Sequence, residues 1–369
     1  MISCYIQFTR ERSIDGESKD SNFRPVHEAS GSICECNGHE GYYFPRIDIL
    51  KKDGKKGKMD PVSLREAEKL EVTVLVDNYI DMLLLQSSEV LRRSAVPPPN
   101  SFLAEHGFSC LIKACAGTEE HTVLMDVGTS GTCLLHNADL LNIDLSKVES
   151  VIISHGHFDH FWALQKVVGR FRKGVRLILH PEAFLQRRIA IPALGVQREM
   201  PCLDENSLKD AGVEVKKVRE DSTLASGLIL VLGEVGRKTS FEKGFPGAEA
   251  KIDGRWVADP FHDDRGVVVK VKDKGLVIVG GCSHAGIINT VKHAQKVTQT
   301  QKVHAVLGGF HLTGPIFEPI IEPTIEEMKK IGPAFVAPMH CTGWKAINQF
   351  AEKMASQFLL NSVGTTYAF

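Results

Sequence analysis

The stretch Ser150-Val151-Ile152-Ile153-Ser154-His155-Gly156-His157-Phe158-Asp159-His160 decides how this chain is read. A short apolar β-type run ends abruptly in a turn that carries His155, His157, Asp159 and His160 within six residues. Neutral imidazoles and carboxylates are the usual ligands of zinc and iron, and a strand end entering a tight turn can aim several of them at one point. His155 and His157 are spaced to share one metal, and Asp159 and His160 to reach a second. The competing reading is a polar turn that happens to be rich in histidine. It fares worse, because buried imidazoles without partners are costly.

Outward from this turn, the chain alternates short apolar runs with turns and amphipathic segments, the texture of layered α/β packing. The runs read as strands are 71–77, 108–115, 122–128, 150–155, 176–181, 213–218, 228–235, 266–273, 276–282, 303–311 and 334–340. Only Lys274 and Gly275 separate 266–273 from 276–282, so these two read as a hairpin. Helical periodicity follows the histidine turn in WALQKVVGRFR and recurs in IINTVKHAQKV, which puts Ile287, Ile288, Val291 and Ala294 on one face. AINQFAEKM does the same with Ile347, Phe350, Ala351 and Met354. DMLLLQSSEVLRR (81–93) also looks helical, until Pro97, Pro98 and Pro99 force an extended connection. Residues 237–265 are rich in Gly, Pro and charge and long for a loop, which marks them as a candidate lid.

Four histidines, His155, His284, His311 and His340, each stand at or just past the end of an apolar run, where open α/β layers build their sites. For any one of them a hydrogen-bonded structural role is an equal explanation, but four on separate strand ends argue for convergence. After His284, Ala285 and Gly286 open the helical segment, so free N–H groups there would favour a phosphate or carboxylate. Arg237, Lys238 and Lys243 could add charge, although such runs are more often solvated surface.

In His155-Gly156-His157-Phe158-Asp159-His160 the chain resembles the metallo-β-lactamase-like superfamily, whose signature is HxHxDH after a strand. GCSHAGIINT (281–290), AVLGGFHLTG (305–314) and APMHCTG (337–343) are similar to a narrower group, the 7,8-dihydropterin-6-methyl-4-(β-D-ribofuranosyl)aminobenzene-5′-phosphate synthase-like proteins. The resemblance implies an αββα four-layer sandwich over 69–369. It leaves 1–68, a polar segment with no sustained period, as an extension. It further implies one or two divalent metals, zinc above iron or manganese, held by His155, His157, Asp159, His160, His284 and His340.

Asp126 matches the aspartate that orients the metal loop without binding metal, and Asp77 has similar chemistry. Two departures stand out. No histidine occurs between 181 and 261, so His284 is the substitute for the usual third-motif histidine. Cys282 stands where a bridging aspartate is usual, which makes it a further candidate ligand and leaves the number of metals open. His311 is either another ligand or a substrate-facing acid/base, and His106-Gly107 resembles a segment that lines the pocket in that group.

The reading expected from the superfamily is hydrolysis of an ester or phosphoester by metal-activated water, with Asp159 orienting the nucleophile and His311 protonating the leaving group. The alternatives are a synthase-type transfer on a phosphoribosyl- or pterin-like substrate, carried by the narrower resemblance, and a non-catalytic metal-binding sensor, favoured by Cys282. Lys+Arg 44 against Asp+Glu 45 gives no net field for nucleic acid or an anionic membrane, so the expected partner is a small molecule, anionic if the helix start is used. No apolar run approaches the roughly 18–20 residues of a bilayer span. Without a signal-peptide pattern either, a soluble cytoplasmic protein with reduced thiols is expected for this nine-cysteine chain. Cys34, Cys36 and His39 lack the paired spacing of a structural zinc site.

Overall fold

Every apolar run read as a strand holds one. In the computed structural model, which describes residues 62–191 and 195–369, they pair into two large sheets. One sheet orders Glu214–Lys217, Arg176–Leu179, Ser150–Ile152, Glu119–Met125, Ser109–Ala116, Lys69–Val76, Thr365–Ala368 and Leu91–Arg93. The other orders Ser222–Leu224, Ile229–Val231, Gly266–Val271, Gly275–Gly280, Val303–Gly309 and Phe335–Met339, with Glu66–Ala67 paired in parallel to Gly266–Val271. That last pairing brings the fold forward of residue 69. Most of the expected extension, and the Cys34, Cys36 and His39 trio, lie outside the described residues.

Alternation along the strands builds the four layers, because successive side chains point to opposite faces. Val267, Val269 and Val271 pack against Val72, Val74 and Ile112 between the sheets. Val268 points outward onto Ile288 and Val291 of the helix Ile287–Thr298. On the first sheet Val123 and Met125 face inward, while Leu124 faces Leu134 and Ala138 of Thr132–Leu140. Ile321–Ile331 and Trp344–Lys353 complete the outer layer of the second sheet. This is the expected αββα sandwich.

Two stretches differ from expectation. DMLLLQSSEVLRR forms no helix; its end contributes the edge strand Leu91–Arg93. Asp81 captures the Leu83 N–H at 2.9 Å in an Asx-type turn, and the contiguous leucines give no single helical face to bury. Leu83 is left 87% exposed. Residues 237–265 are more ordered than a loop. Ala248–Ile252 and Arg255–Ala258 form a hairpin around Asp253-Gly254, and with Arg187–Ile191 and Val196–Glu199 they make a third, four-stranded sheet. Asp-Gly between two such runs is a strong hairpin signal, since both residues tolerate positive φ.

Candidate metal centre

The ends of six strands converge on one edge of the sandwich. Val76 leads into Asp77, Met125 into Asp126, Gly280 towards Cys282 and His284, Gly309 towards His311, and Met339 into His340. Ser150–Ile152 runs through Ser154 and His155 to the short helix Phe158–Phe161, of which His157 is the N-cap residue. Gly156 is required there by space. A Cβ at that position would lie 2.2 Å from the Ala183 carbonyl oxygen and 2.4 Å from Arg187 Nη1.

The turn is held from three sides. Asp126, fully buried, accepts from Ser154 N and Ser154 Oγ at 2.7 Å each and from His160 Nδ1 at 2.7 Å. His160 is thereby oriented with Nε2 towards Cys282 Sγ (3.1 Å) and His340 Nε2 (3.2 Å). A carboxylate so placed fixes the tautomer and direction of the ring it holds. Asp77 does similar work one strand away: its Oδ1 accepts from His340 N at 2.7 Å, while Asn78 Oδ1 lies 3.1 Å from His340 Nδ1. Asp263 accepts from Gly156 N at 2.8 Å and from Arg187 Nη2 at 2.8 Å, and Arg187 Nε also donates to Asp259 at 2.7 Å.

Ligand-type atoms gather in three groups, each within 4.8 Å: Asp159, His160, Cys282 and His340; His155, Cys282 and His284; and Cys282, His311 and Cys341. His157 joins through its Nδ1, 3.1 Å from His284 Nε2. Cys282 is common to all three groups. His106, 3.2 Å from Asp159 Oδ2 and beside the His340 ring, sits at the solvent side of the first. His180 is held by hydrogen bonds apart from these groups; its Nδ1 accepts from Glu182 N, and its Nε2 lies 3.2 Å from Glu234.

The donor set fits divalent cations on two observations. First, His155 Nε2, His157 Nε2, His284 Nδ1 and His311 Nδ1 are buried without a hydrogen-bond partner, a state proteins avoid unless something else satisfies the atoms. Second, the protonation states suit ligation. Burial holds His155 and His284 well below the usual imidazole range and brings His157 down to about 3, so these rings are neutral. Burial opposes charge on Asp159, yet His160, His106 and His340 keep it a carboxylate, well below the usual range. Burial likewise opposes charge on His160, but Asp126 and Asp159 lift it to about 9. Left-handed backbone at Asp126, Phe261, Ser283, His311 and His340 (φ between 45° and 59°) stores strain of about 1–3 kcal/mol per residue at this edge.

The segment preceding the Asp-Gly hairpin and the one following it close over the histidines. Phe261 stacks on His284 (4.4 Å between centroids, 14° between planes), and Phe245 lies 5.1 Å from both His311 and Phe317. Helix Ile287–Thr298 does not offer the free anion site expected at Ala285 and Gly286. Asp264 accepts from Ala285 N at 2.9 Å, Ser283 O from Gly286 N at 2.9 Å, and Glu242 from Ile288 N (2.8 Å) and Asn289 N (2.9 Å). An internal carboxylate already satisfies the helix start. Arg237 donates to Pro260 O, whereas Lys243 lines the cleft beside His284 and His311.

The family model described as "Metallo-beta-lactamase superfamily" matches residues 105–290. The chain belongs to the metallo-beta-lactamase superfamily. A Methanocaldococcus jannaschii protein named 7,8-dihydropterin-6-methyl-4-(beta-D-ribofuranosyl)-aminobenzene-5′-phosphate synthase is 34% identical over 260 residues, 70% of this chain and 87% of that protein. An uncharacterised protein of the same archaeon is 31% identical over 71% of this chain and 93% of its own length. A crystal structure described as a metal-dependent hydrolase of the beta-lactamase superfamily superposes with TM-score 0.63 at 26% identity, over 80% of this chain and 98% of the other. The resemblance read from HxHxDH and the downstream segments is thus borne out.

Sequence reading missed Cys341, Asn78, Asp263, Asp264, Arg187 and Glu242. Cys341 adjoins His340, and Asp263-Asp264 precede a strand on the site edge, so position alone could have marked these three. Arg187 and Glu242 lie in segments with no such signal.

Proposed function

We propose that this metallo-beta-lactamase superfamily member is a metal-dependent transferase of synthase type, joining a pterin-type carbon to the nitrogen of an aromatic amine that carries a phosphorylated sugar. The observation that carries the reading is the 34% identity to the named synthase across 87% of that protein. In such a transfer the amine lone pair forms the new C–N bond, the leaving group departs with its bonding pair, and the amine proton passes to a base. Divalent ions bound by the centre, zinc by preference, would supply Lewis-acid polarisation and neutralise negative charge.

The chain's own groups divide the remaining work. Asp159, held ionised beside His106 at the solvent side, is placed to hold and orient the incoming amine. His311, half-buried, faces the cleft that would receive the departing group. Phe317 and Lys243 line the cleft beside His284 and His311, and the Lys243 ammonium suits a phosphate. His340, Asn78, Tyr79 and Trp344 line a second opening, so two substrates can approach from different sides. A small anionic molecule, not nucleic acid or a membrane, is the partner proposed. Among the described residues no helix is long and apolar enough to cross a membrane.

Hydrolysis by metal-activated water is the second reading, favoured by the likeness to the metal-dependent hydrolase. One experiment separates them. Metal-reconstituted protein is given a dihydropterin with an activated 6-methylene group, with and without a ribofuranosyl-aminobenzene phosphate acceptor, and products are identified by mass spectrometry. A coupled product formed only with the acceptor supports the transferase; hydrolysed donor alone, at the same rate in both arms, refutes it in favour of the hydrolase. No turnover in either arm from metal-replete protein refutes both and leaves a metal-binding sensor.

A further inference from the structure

We propose that Cys282, His311 and Cys341 form a further soft cation subsite, sharing Cys282 with the centre built on the HxHxDH turn and taking a thiophilic ion of the Zn²⁺ type. The inference rests on the metal-dependent reading above but adds two residues, His311 and Cys341, that neither of the other ligand groups uses. The three side chains come from the ends of Gly275–Gly280, Val303–Gly309 and Phe335–Met339, which are consecutive parallel neighbours in the second sheet. Three adjacent strand ends therefore deliver one ligand each.

Their ligand atoms lie within 4.8 Å of one another. Tetrahedral zinc, with Zn–S of about 2.3 Å and Zn–N of about 2.0–2.1 Å, places its ligands about 3.5–3.8 Å apart, so a movement of ~1 Å closes the set. Space is kept for the sulfurs. A Cβ on Gly309 would stand 2.7 Å from Cys341 Sγ and 3.3 Å from Cys282 Cα, so only glycine fits between them. His311 Nδ1 is buried without a partner, and both His311 (φ 45°) and His340 (φ 51°), which ends the neighbouring strand, hold left-handed backbone to present their rings. A two-cysteine, one-histidine set is a three-ligand arrangement that leaves a fourth position for an exogenous ligand. His311 faces the cleft lined by Ser283, His284, Phe310, Leu312 and Phe317, where that ligand would enter.

The test uses full-length protein loaded with zinc under reducing conditions. Zinc content is measured by mass spectrometry, and the sulfur coordination number by X-ray absorption at the zinc edge, for wild type, Cys341→Ser and His311→Gln. Wild type is expected to show sulfur from two cysteines, and each variant to lose about one zinc equivalent relative to wild type while His155, His157, Asp159 and His160 keep theirs. Far-UV circular dichroism establishes that the variants are folded. Should Cys341→Ser fail to fold, His311→Gln carries the comparison. Wild-type zinc content and sulfur number retained in the folded variant would overturn the subsite while leaving the metal reading of the centre intact. Wild type that binds no zinc defeats both together.

Discussion

Replacing Asp126 by Asn tests how far the centre depends on a residue that does not itself face the cations. Asp126 accepts three hydrogen bonds, from Ser154 N, Ser154 Oγ and His160 Nδ1, each at 2.7 Å and none exposed to water. An asparagine of the same shape can keep the bond from Ser154 N through its oxygen. Its NH₂ group, however, then faces two donors. His160 escapes the clash by carrying its proton on Nε2, the nitrogen that points to Cys282 and His340, and a protonated Nε2 cannot ligate. Loss of such an outer partner typically weakens metal binding ~10–100-fold, or ~1.4–2.8 kcal/mol.

The assay is competition for zinc against a chromophoric chelator at several pH values. In wild type His160 holds a proton up to about pH 9, through Asp126 and Asp159 and against burial. Binding must expel that proton, so affinity should rise with pH and level off near 9. In Asp126→Asn the affinity should be lower and the level reached at lower pH, because one of the two carboxylates that raise His160 is gone. Unchanged affinity and an unchanged pH profile in a folded Asp126→Asn protein would refute the reasoning.

Arg187→Met should destabilise the protein by ~3–5 kcal/mol in urea unfolding, because it strands the buried carboxylates of Asp259 and Asp263, and it should weaken metal binding by freeing the Gly156 turn. Gly156→Ala should cost ~1–3 kcal/mol by the same measure, since its Cβ meets Ala183 and Arg187. Glu242 is raised by burial to about 7, above its ordinary 4.5. A carboxyl raised on folding adds stability that is full below about pH 4.5 and lost as pH climbs through 7. Urea unfolding of wild type should therefore show that decline, and Glu242→Gln should remove it.

The fold was legible where periodicity is strong and burial two-sided. Val267 to Val269 and Leu276 to Val279 alternate between two apolar environments, so they read as continuous apolar runs, and Lys274-Gly275 marks their turn. The helical reading of residues 81–93 fails for a physical cause: apolar residues there are contiguous, and the Asx turn at Asp81 outcompetes helix nucleation. The small sheet was missed because Arg187–Ile191 and Val196–Glu199 carry charges on half-exposed strands, though Asp253-Gly254 announced its hairpin. At the site, the turn 155–160 is local and was readable at once. Cys341, Asp263 and Glu242 act across the fold, and the partner of each is far away in sequence: Cys282 for Cys341, Gly156 for Asp263, Ile288 for Glu242. The free helix start expected at Ala285 and Gly286 failed for the same reason, since Glu242 reaches Ile288 from 46 residues away.

The most direct measurement is an anomalous-difference map, at the metal absorption edge, from crystals of zinc-loaded protein. Peaks are expected within Asp159, His160, Cys282 and His340, within His155, His157 and His284, and at the subsite of Cys282, His311 and Cys341. A map with no peak at these residues, from crystals shown to contain stoichiometric zinc, would contradict it.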